Sequence, residues 1–221
     1  MNKKILLLLG GSWHDFEGFA QAMRGLGGPA GYVVETTYDL DRLRRLASDP
    51  CDVVLSYTCM SPGADGVATQ PQMTDEQVQA LAGWVRAGGA LLGAHAATVL
   101  GQSSPALGAL LGGTFVSHPK QHTFAVYPLS RPHPITAGLA AFKVKDELYI
   151  QTYEPNVEVH LAALYEGVAH PMAWSKSEGA GRVAYVALGH SQAVWKVPAY
   201  QRLMLQTLAW VTRLPTNPVG S

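Results

Sequence analysis

Eight histidines are spread through this 221-residue chain, and three of them share one kind of address. His14 follows the apolar run Ile5-Leu6-Leu7-Leu8-Leu9 and a glycine pair, where a helical segment begins. His95 sits at the apex of a small-residue turn after the wholly apolar stretch Ala90-Leu91-Leu92-Gly93-Ala94. His190 follows Gly189 at the end of the apolar segment Arg182 to Leu188. In open α/β sheets, groups just past the carboxyl ends of the strands line the ligand crevice. The three imidazoles are therefore expected in one pocket, with Asp146-Glu147 and His118 converging on it from later segments. Neutral imidazole is the commonest borderline metal ligand, and three protein ligands leaving one open position is the arrangement of catalytic zinc. A divalent metal, zinc in the first instance, held by His14, His95 and His190 would polarise a carbonyl or hydroxyl, or acidify a bound water. Without a metal, the same groups suit proton transfer, with Glu147 as partner base. The catalytic set expected from this pattern is His95, His190, Glu147 and His14.

Each of these residues also has a plain structural alternative. A single buried histidine commonly bonds nearby backbone, and Glu147 could pair with a Lys or Arg on a solvated strand. His118 and His133 each precede a proline and fit turns, while His160 and His170 carry no signal beyond position.

The elements that must position these groups read as a doubly wound sheet. Lys3 to Leu9 is a strand with an unbroken apolar run, suited to the sheet centre. Phe16 to Leu26 has helical spacing, with Phe16, Phe19, Ala20 and Met23 on one face. Gly31 to Thr37 is a second strand, Asp39 to Ala47 a short helix with Asp39 as N-cap, and Asp52 to Tyr57 a third strand. A Gly- and Pro-rich loop from Thr58 to Met73 has the length of a lid or binding element. Thr74-Asp75-Glu76-Gln77 is a capping box, opening a helix that runs to Arg86 with Val78, Leu81, Ala82 and Val85 inward. Strands and helices alternate to this point, which predicts an α/β, flavodoxin-like, mostly parallel sheet with helices on both faces. Beyond His95, Ser103 to Leu111 reads as a short helix and Thr114 to Pro119 as irregular. His122 to Leu129, Phe142 to Ile150 and Leu161 to Tyr165 read as strands. Pro171 to Ser175 and Arg182 to Leu188 form a hairpin across Glu178-Gly179-Ala180-Gly181. This is the added antiparallel hairpin region. Pro198 opens a final helix with Leu203, Leu208, Trp210 and Val211 inward. One domain is expected over 1–213, with 214–221 a frayed tail.

Composition narrows the partners. Sixteen basic and sixteen acidic side chains balance, which argues against a nucleic-acid surface or a polybasic membrane patch. The first strand is too short for a membrane span and lacks a signal-peptide cleavage pattern, so a cytoplasmic location is expected. Cys51 and Cys59 suggest neither a disulfide framework nor a zinc ribbon. The Gly10-Gly11 pair lacks the G-x-G-x-x-G spacing of a dinucleotide fingerprint.

Taken in order, several segments resemble the ThuA-like (trehalose utilisation) family, whose fold is that of class I glutamine amidotransferases. They are Gly11-Ser12-Trp13-His14-Asp15-Phe16, Gly88 to His95, Gly112-Gly113-Thr114-Phe115 with His118-Pro119, and His133 to Leu139. Asp146-Glu147-Leu148-Tyr149, Gly181 to Tyr185 with Gly189-His190, and Trp210 complete the set. The resemblance implies a flavodoxin-like core and a role in carbohydrate metabolism. Against the amidotransferases, His95 stands near the place of their cysteine nucleophile, and His190 lacks their following carboxylate. Glutamine hydrolysis is therefore not expected. The function expected is an enzyme acting on a sugar or keto-sugar derivative by His/Glu proton transfer, with metal assistance as one form of it; isomerisation or epimerisation beside a keto group and hydrolysis of a glycoside-type bond are both open. The alternative is a non-catalytic sugar-binding or accessory protein that keeps the pocket without the cysteine. Sugar rings pack their C–H faces on flat side chains, so Trp13, Tyr57, Tyr149 and Trp195, with His118, are the substrate-binding candidates. Trp84, Trp174 and Trp210 are assigned to the core. The expected partner is a small-molecule sugar or sugar derivative, with no nucleic acid and no membrane, and a homo-oligomer is compatible with the sequence.

Overall fold

The computed structural model describes residues 2–62 and 72–214. Its first half alternates strand and helix: β1 (Lys3–Gly11), α1 (Phe16–Gly27), β2 (Tyr32–Thr37), β3 (Val53–Cys59), α2 (Asp75–Arg86), β4 (Ala90–Ala94) and α3 (Pro105–Leu111). The second half is richer in strands: β5 (Gly113–Ser117), β6 (His122–Pro128), β7 (Phe142–Asp146), β8 (Ile150–Tyr153), β9 (Glu158–Tyr165), β10 (Val168–Glu178) and β11 (Gly181–Val186). Helices α4 (Gln192–Trp195) and α5 (Pro198–Val211) close the chain.

Nine strands form one sheet in the order β2-β1-β3-β4-β11-β10-β9-β6-β7, and β5 pairs with β8 in a separate ribbon. Pairing is parallel from β2 through β11 and antiparallel from β11 to β7. The central strands are apolar because both faces are covered: Ile5 to Leu9 in β1 and Val53 to Leu55 in β3 have no solvent exposure. Each fully buried side chain of this size contributes roughly 1.5–3 kcal/mol of transfer free energy. Thr74 and Gln77 make the reciprocal capping box that starts α2, and the Asp15 side chain accepts the Gly18 N–H to start α1. Among the described residues no helix is long and apolar enough to cross a membrane.

Several elements depart from the sequence-based expectation. Residues 40–45 form a 3-10 helix rather than an α-helix over Asp39 to Ala47, although Asp39 does cap it. The stretch Thr114 to Pro119, expected to be irregular, contains β5, whose main chain is paired with β8. Tyr200, Met204 and Thr207 join Leu203, Leu208 and Val211 on the buried face of α5, while Trp210 is only half-buried. Trp174 lies fully in the core, but Trp84 is half-buried like Trp210. The single strand expected over Phe142 to Ile150 is two strands broken at Glu147-Leu148-Tyr149. There the side chain of Asp146 takes over main-chain pairing by accepting the Glu147 N–H at 2.9 Å. The Thr58–Met73 loop lies largely outside the described residues, as does the tail beyond Leu214.

Candidate functional site

Three strand ends build the site. β1 ends at Gly11, whose φ of +106° and contact with the Cys59 backbone leave no room for a Cβ. The chain then turns through Trp13, held at φ +70°, to deliver His14. β4 ends at Ala94, and His95 follows at φ +43°, a left-handed conformation that non-glycine residues seldom adopt. β11 runs into Gly189 (φ +130°) and His190. The backbone at all three ends is bent sharply so that a side chain crosses the rim of the sheet.

The three rings meet. Centroids are 5.1 Å apart for His14 and His95, 4.9 Å for His14 and His190, and 5.5 Å for His95 and His190. Glu147 enters between them, its Oε2 lying 3.4 Å from His95 Nε2 and 3.2 Å from His190 Nδ1. One donor atom from each of His14, His95, Glu147 and His190 lies within 4.8 Å of all the others. The other carboxylate oxygen, Oε1, faces His118 Nε2 at 3.9 Å.

Tautomers follow from the main-chain contacts. His14 Nδ1 lies 2.9 Å from the Ser12 carbonyl, and His95 Nδ1 lies 2.7 Å from the Ala187 carbonyl. A carbonyl only accepts, so both Nδ1 atoms carry a proton, and in the neutral ring each Nε2 then presents its lone pair to the site. Among the described residues, the buried His14 Nε2, His95 Nε2 and His190 Nδ1 have no hydrogen-bond partner. The approaches of His95 and His190 to Glu147 are within ion-pairing range but misaligned for hydrogen bonds. Orphaned polar atoms of this kind are rare in folded interiors. Three of them aimed at one point beside a carboxylate is a donor set suited to a divalent ion, which imidazole and carboxylate bind at about 2.0–2.2 Å. The second ring nitrogen tied to a carbonyl is the orienting contact that metal-binding histidines normally make.

Electrostatics agree with the assignment for His14. Burial, reinforced by the neighbouring His95, lowers the His14 pKa to about 3, which keeps that ring neutral. Burial acts to raise Glu147, but its contacts with His190 and His95 outweigh this and hold the carboxyl far below the usual range. The Glu147 carboxylate in turn raises His190 against the opposing effect of burial.

The cluster lies at one side of a cavity of about 460 Å³ lined by Trp13, His14, Cys59, Phe115, His118 and Tyr149 among others. Tyr149 stacks on His95 with centroids 4.2 Å apart, which fixes the plane of the imidazole. Phe115 packs against Tyr149 at 4.5 Å and forms the neighbouring wall. Trp13 stands at the mouth, 58% exposed, with its indole N–H donating to the Pro62 carbonyl. Of the aromatic candidates, Trp13 and Tyr149 line the cavity, whereas Tyr57 and Trp195 do not. The Tyr57 hydroxyl and the Trp195 indole both donate to the Gly189 carbonyl, at 2.9 and 2.7 Å. Their role is to hold the turn that carries His190. Phe115 was missed from sequence because the segment around it read as irregular; its signal was the Gly112-Gly113 pair shortly before it.

The fold and site define an α/β protein with a histidine–carboxylate cluster at the carboxyl rim of its parallel strands. Residues 4–211 match the ThuA family model, described as trehalose utilisation, and the chain belongs to that family. A ThuA-like protein from Parabacteroides merdae superposes with TM-score 0.81 at 17% identity, over 100% of this chain and 94% of that one. A second, from Bacteroides uniformis, gives TM-score 0.73 at 20% identity, over 95% and 91%. A cold-adapted β-galactosidase from Rahnella contains the same fold as 32% of its chain, matching 97% of this one at TM-score 0.62 and 14% identity. No curated protein matches the chain in sequence.

Proposed function

We propose that the chain is a cytoplasmic enzyme of carbohydrate metabolism, acting on a sugar or keto-sugar derivative by proton transfer beside a divalent metal. The observation that carries this reading is the convergence of three buried, partnerless imidazole nitrogens on Glu147 at an aromatic-lined cavity. His14, His95, His190 and Glu147 would hold the metal, with zinc the first candidate. Such an ion, when bound, polarises a carbonyl or hydroxyl oxygen and so lowers the barrier to moving an adjacent proton.

The chain's own residues supply the rest. His118 Nδ1 lies 2.9 Å from the Pro119 carbonyl and carries its proton, so Nε2 presents a lone pair beside Glu147 Oε1. That nitrogen would take a proton from the carbon next to a keto group. The electron pair left behind moves onto the carbonyl oxygen, and return of the proton from His118 to the neighbouring carbon completes isomerisation, whereas epimerisation takes its proton from a second acid, such as water, on the opposite face. Phe115 and Tyr149 offer flat surfaces to the ring, and Trp13 covers it at the mouth. A cavity of this size falls within the range of small-ligand sites.

The test is metal analysis of tag-free protein, followed by a screen of 3-keto sugars and disaccharides with metal-loaded and chelated samples. Stoichiometric metal and metal-dependent turnover of a keto sugar are expected. Sugar binding without turnover would favour the accessory-protein alternative, and release of a monosaccharide would favour glycoside hydrolysis. Protein that binds neither metal nor sugar would overturn the proposal.

A further inference from the structure

The proposed centre draws Glu147 and His190 from strands that are not neighbours. β7, which precedes Glu147, is the edge strand, and three strands stand between it and β11 in the sheet order. The antiparallel half curls far enough for the end of β7 to reach the turn after β11. Besides the approach of Glu147 to His190, one side chain hydrogen-bonds the two segments together. Asp146 is fully buried, and its Oδ2 accepts the Gly189 N–H at 2.7 Å. Its Oδ1 accepts the His190 N–H at 3.2 Å and the Glu147 N–H at 2.9 Å.

We infer that Asp146 is a positioning residue that sets Glu147 and His190 in register with each other. This rests on the metal reading above. The three N–H groups that Asp146 accepts belong to residues whose positions decide whether Glu147 Oε2 and His190 Nδ1 face one point. The Tyr57 hydroxyl and the Trp195 indole reach the same turn from its carbonyl side, both donating to the Gly189 carbonyl. They can hold the turn near β3 and α4, but neither touches Glu147. Asp146 hydrogen-bonds the main chain on both sides of the junction. It also explains why the strand expected through Ile150 breaks at Glu147: the main chain there gives its N–H to Asp146 instead of to a neighbouring strand.

A carboxylate suits this task because both of its oxygens are acceptors. In Asp146→Asn one acceptor becomes an amide that donates, so an N–H of the junction faces another donor while the volume is unchanged. Contacts that orient metal ligands are each worth about 10–100-fold in metal affinity.

The experiment compares wild type with Asp146→Asn in three measurements. These are thermal unfolding of the apoprotein, Co(II) affinity and visible absorption spectrum at 20 °C, and ¹H–¹⁵N spectra of the Glu147, Gly189 and His190 amides. The expected result is a folded variant with Co(II) affinity about 10–100-fold weaker, an altered Co(II) absorption band, and upfield movement of the three amide protons. Wild-type affinity and spectrum in a variant whose amides have moved would overturn the inference while leaving the metal reading intact. Wild type that takes up no Co(II) or Zn(II) would defeat the metal reading. Positioning is then judged on crystal structures of the two apoproteins, where an unchanged His190–Glu147 approach overturns it. If Asp146→Asn is insoluble, Asp146→Ser, which keeps one hydroxyl acceptor and admits a water, takes its place with the same expected outcomes.

Discussion

Among the described residues stand two clusters of histidine and carboxylate, built on opposite plans. His14, His95, His190 and Glu147 stand at the rim of the parallel strands, while His133, Glu158 and His160 lie on the antiparallel half. In the second cluster the rings of His133 and His160 stack face to face, centroids 3.9 Å apart and 19° from parallel. One nitrogen of each is engaged by the protein: His160 Nε2 with the Ser175 hydroxyl at 2.7 Å, and His133 Nδ1 as acceptor of the Ile135 N–H. At the rim the rings meet edge to face, one nitrogen of His14 and of His95 is tied to a carbonyl, and the nitrogens facing the site have no partner. Proximity of histidines is therefore a poor criterion for a site. What each nitrogen is already bonded to decides whether a lone pair remains for a ligand.

Five substitutions would break or sharpen this contrast. The largest effect is expected at the rim: His190→Ala should weaken Co(II) or Zn(II) binding by on the order of 100-fold or more, about 2.7 kcal/mol. His133→Asn should leave it unchanged. Titration calorimetry on both variants checks the pair, and equal losses would abolish the distinction between the clusters.

The next effect belongs to the antiparallel cluster and appears in acid. Burial, with the nearby His133 and Arg131, lowers the His160 pKa from 6.5 to about 3. Between those values the unfolded chain binds a proton that the folded chain refuses, so stability falls as pH drops through this window. At about pH 4.5 the contribution is roughly 2–3 kcal/mol. Urea unfolding of wild type and His160→Gln across pH 4.5 to 7 should show a flatter dependence in the variant. His14 contributes with the same sign to both proteins and cancels in the difference.

At the mouth, Trp13→Gly removes the platform and relaxes a left-handed backbone. The relief of about 1 kcal/mol offsets the lost indole hydrogen bond, so the melting temperature should hardly move. Affinity for a sugar analogue should fall about tenfold, the scale of one aromatic contact. A large loss of stability would mean that Trp13 is part of the fold rather than of the site. The smallest effect is expected at Cys59, whose thiol is raised by burial. Cys59→Ser should leave sugar turnover as it is, and an abolished activity would restore a thiol mechanism.

Much of the parallel half was legible from sequence because the signal there is local. The apolar run of β1, the Thr74–Gln77 capping box and the glycines that end α2 each act within a few residues. His14, His95 and His190 were legible for the same reason: each follows a strand that is plain in the sequence. The antiparallel half was read less well. β5 is held by pairing with β8, more than thirty residues away, and the break after Asp146 depends on Gly189 and His190. Tyr57 and Trp195 were placed against a ligand from position alone, whereas their polar ends hold the Gly189 carbonyl.

From sequence alone came the alternation of strands and helices, the apolar centre of the sheet and the strand-end addresses of three histidines. These follow from side-chain periodicity and turn chemistry, which short stretches of chain carry in full. Tertiary structure decided which nitrogens keep a free lone pair and how the antiparallel half curls to bring Glu147 to His190. It also gave Asp146 the task of joining the two. Those outcomes depend on hydrogen bonds between residues remote in the chain, and no local pattern specifies such a bond.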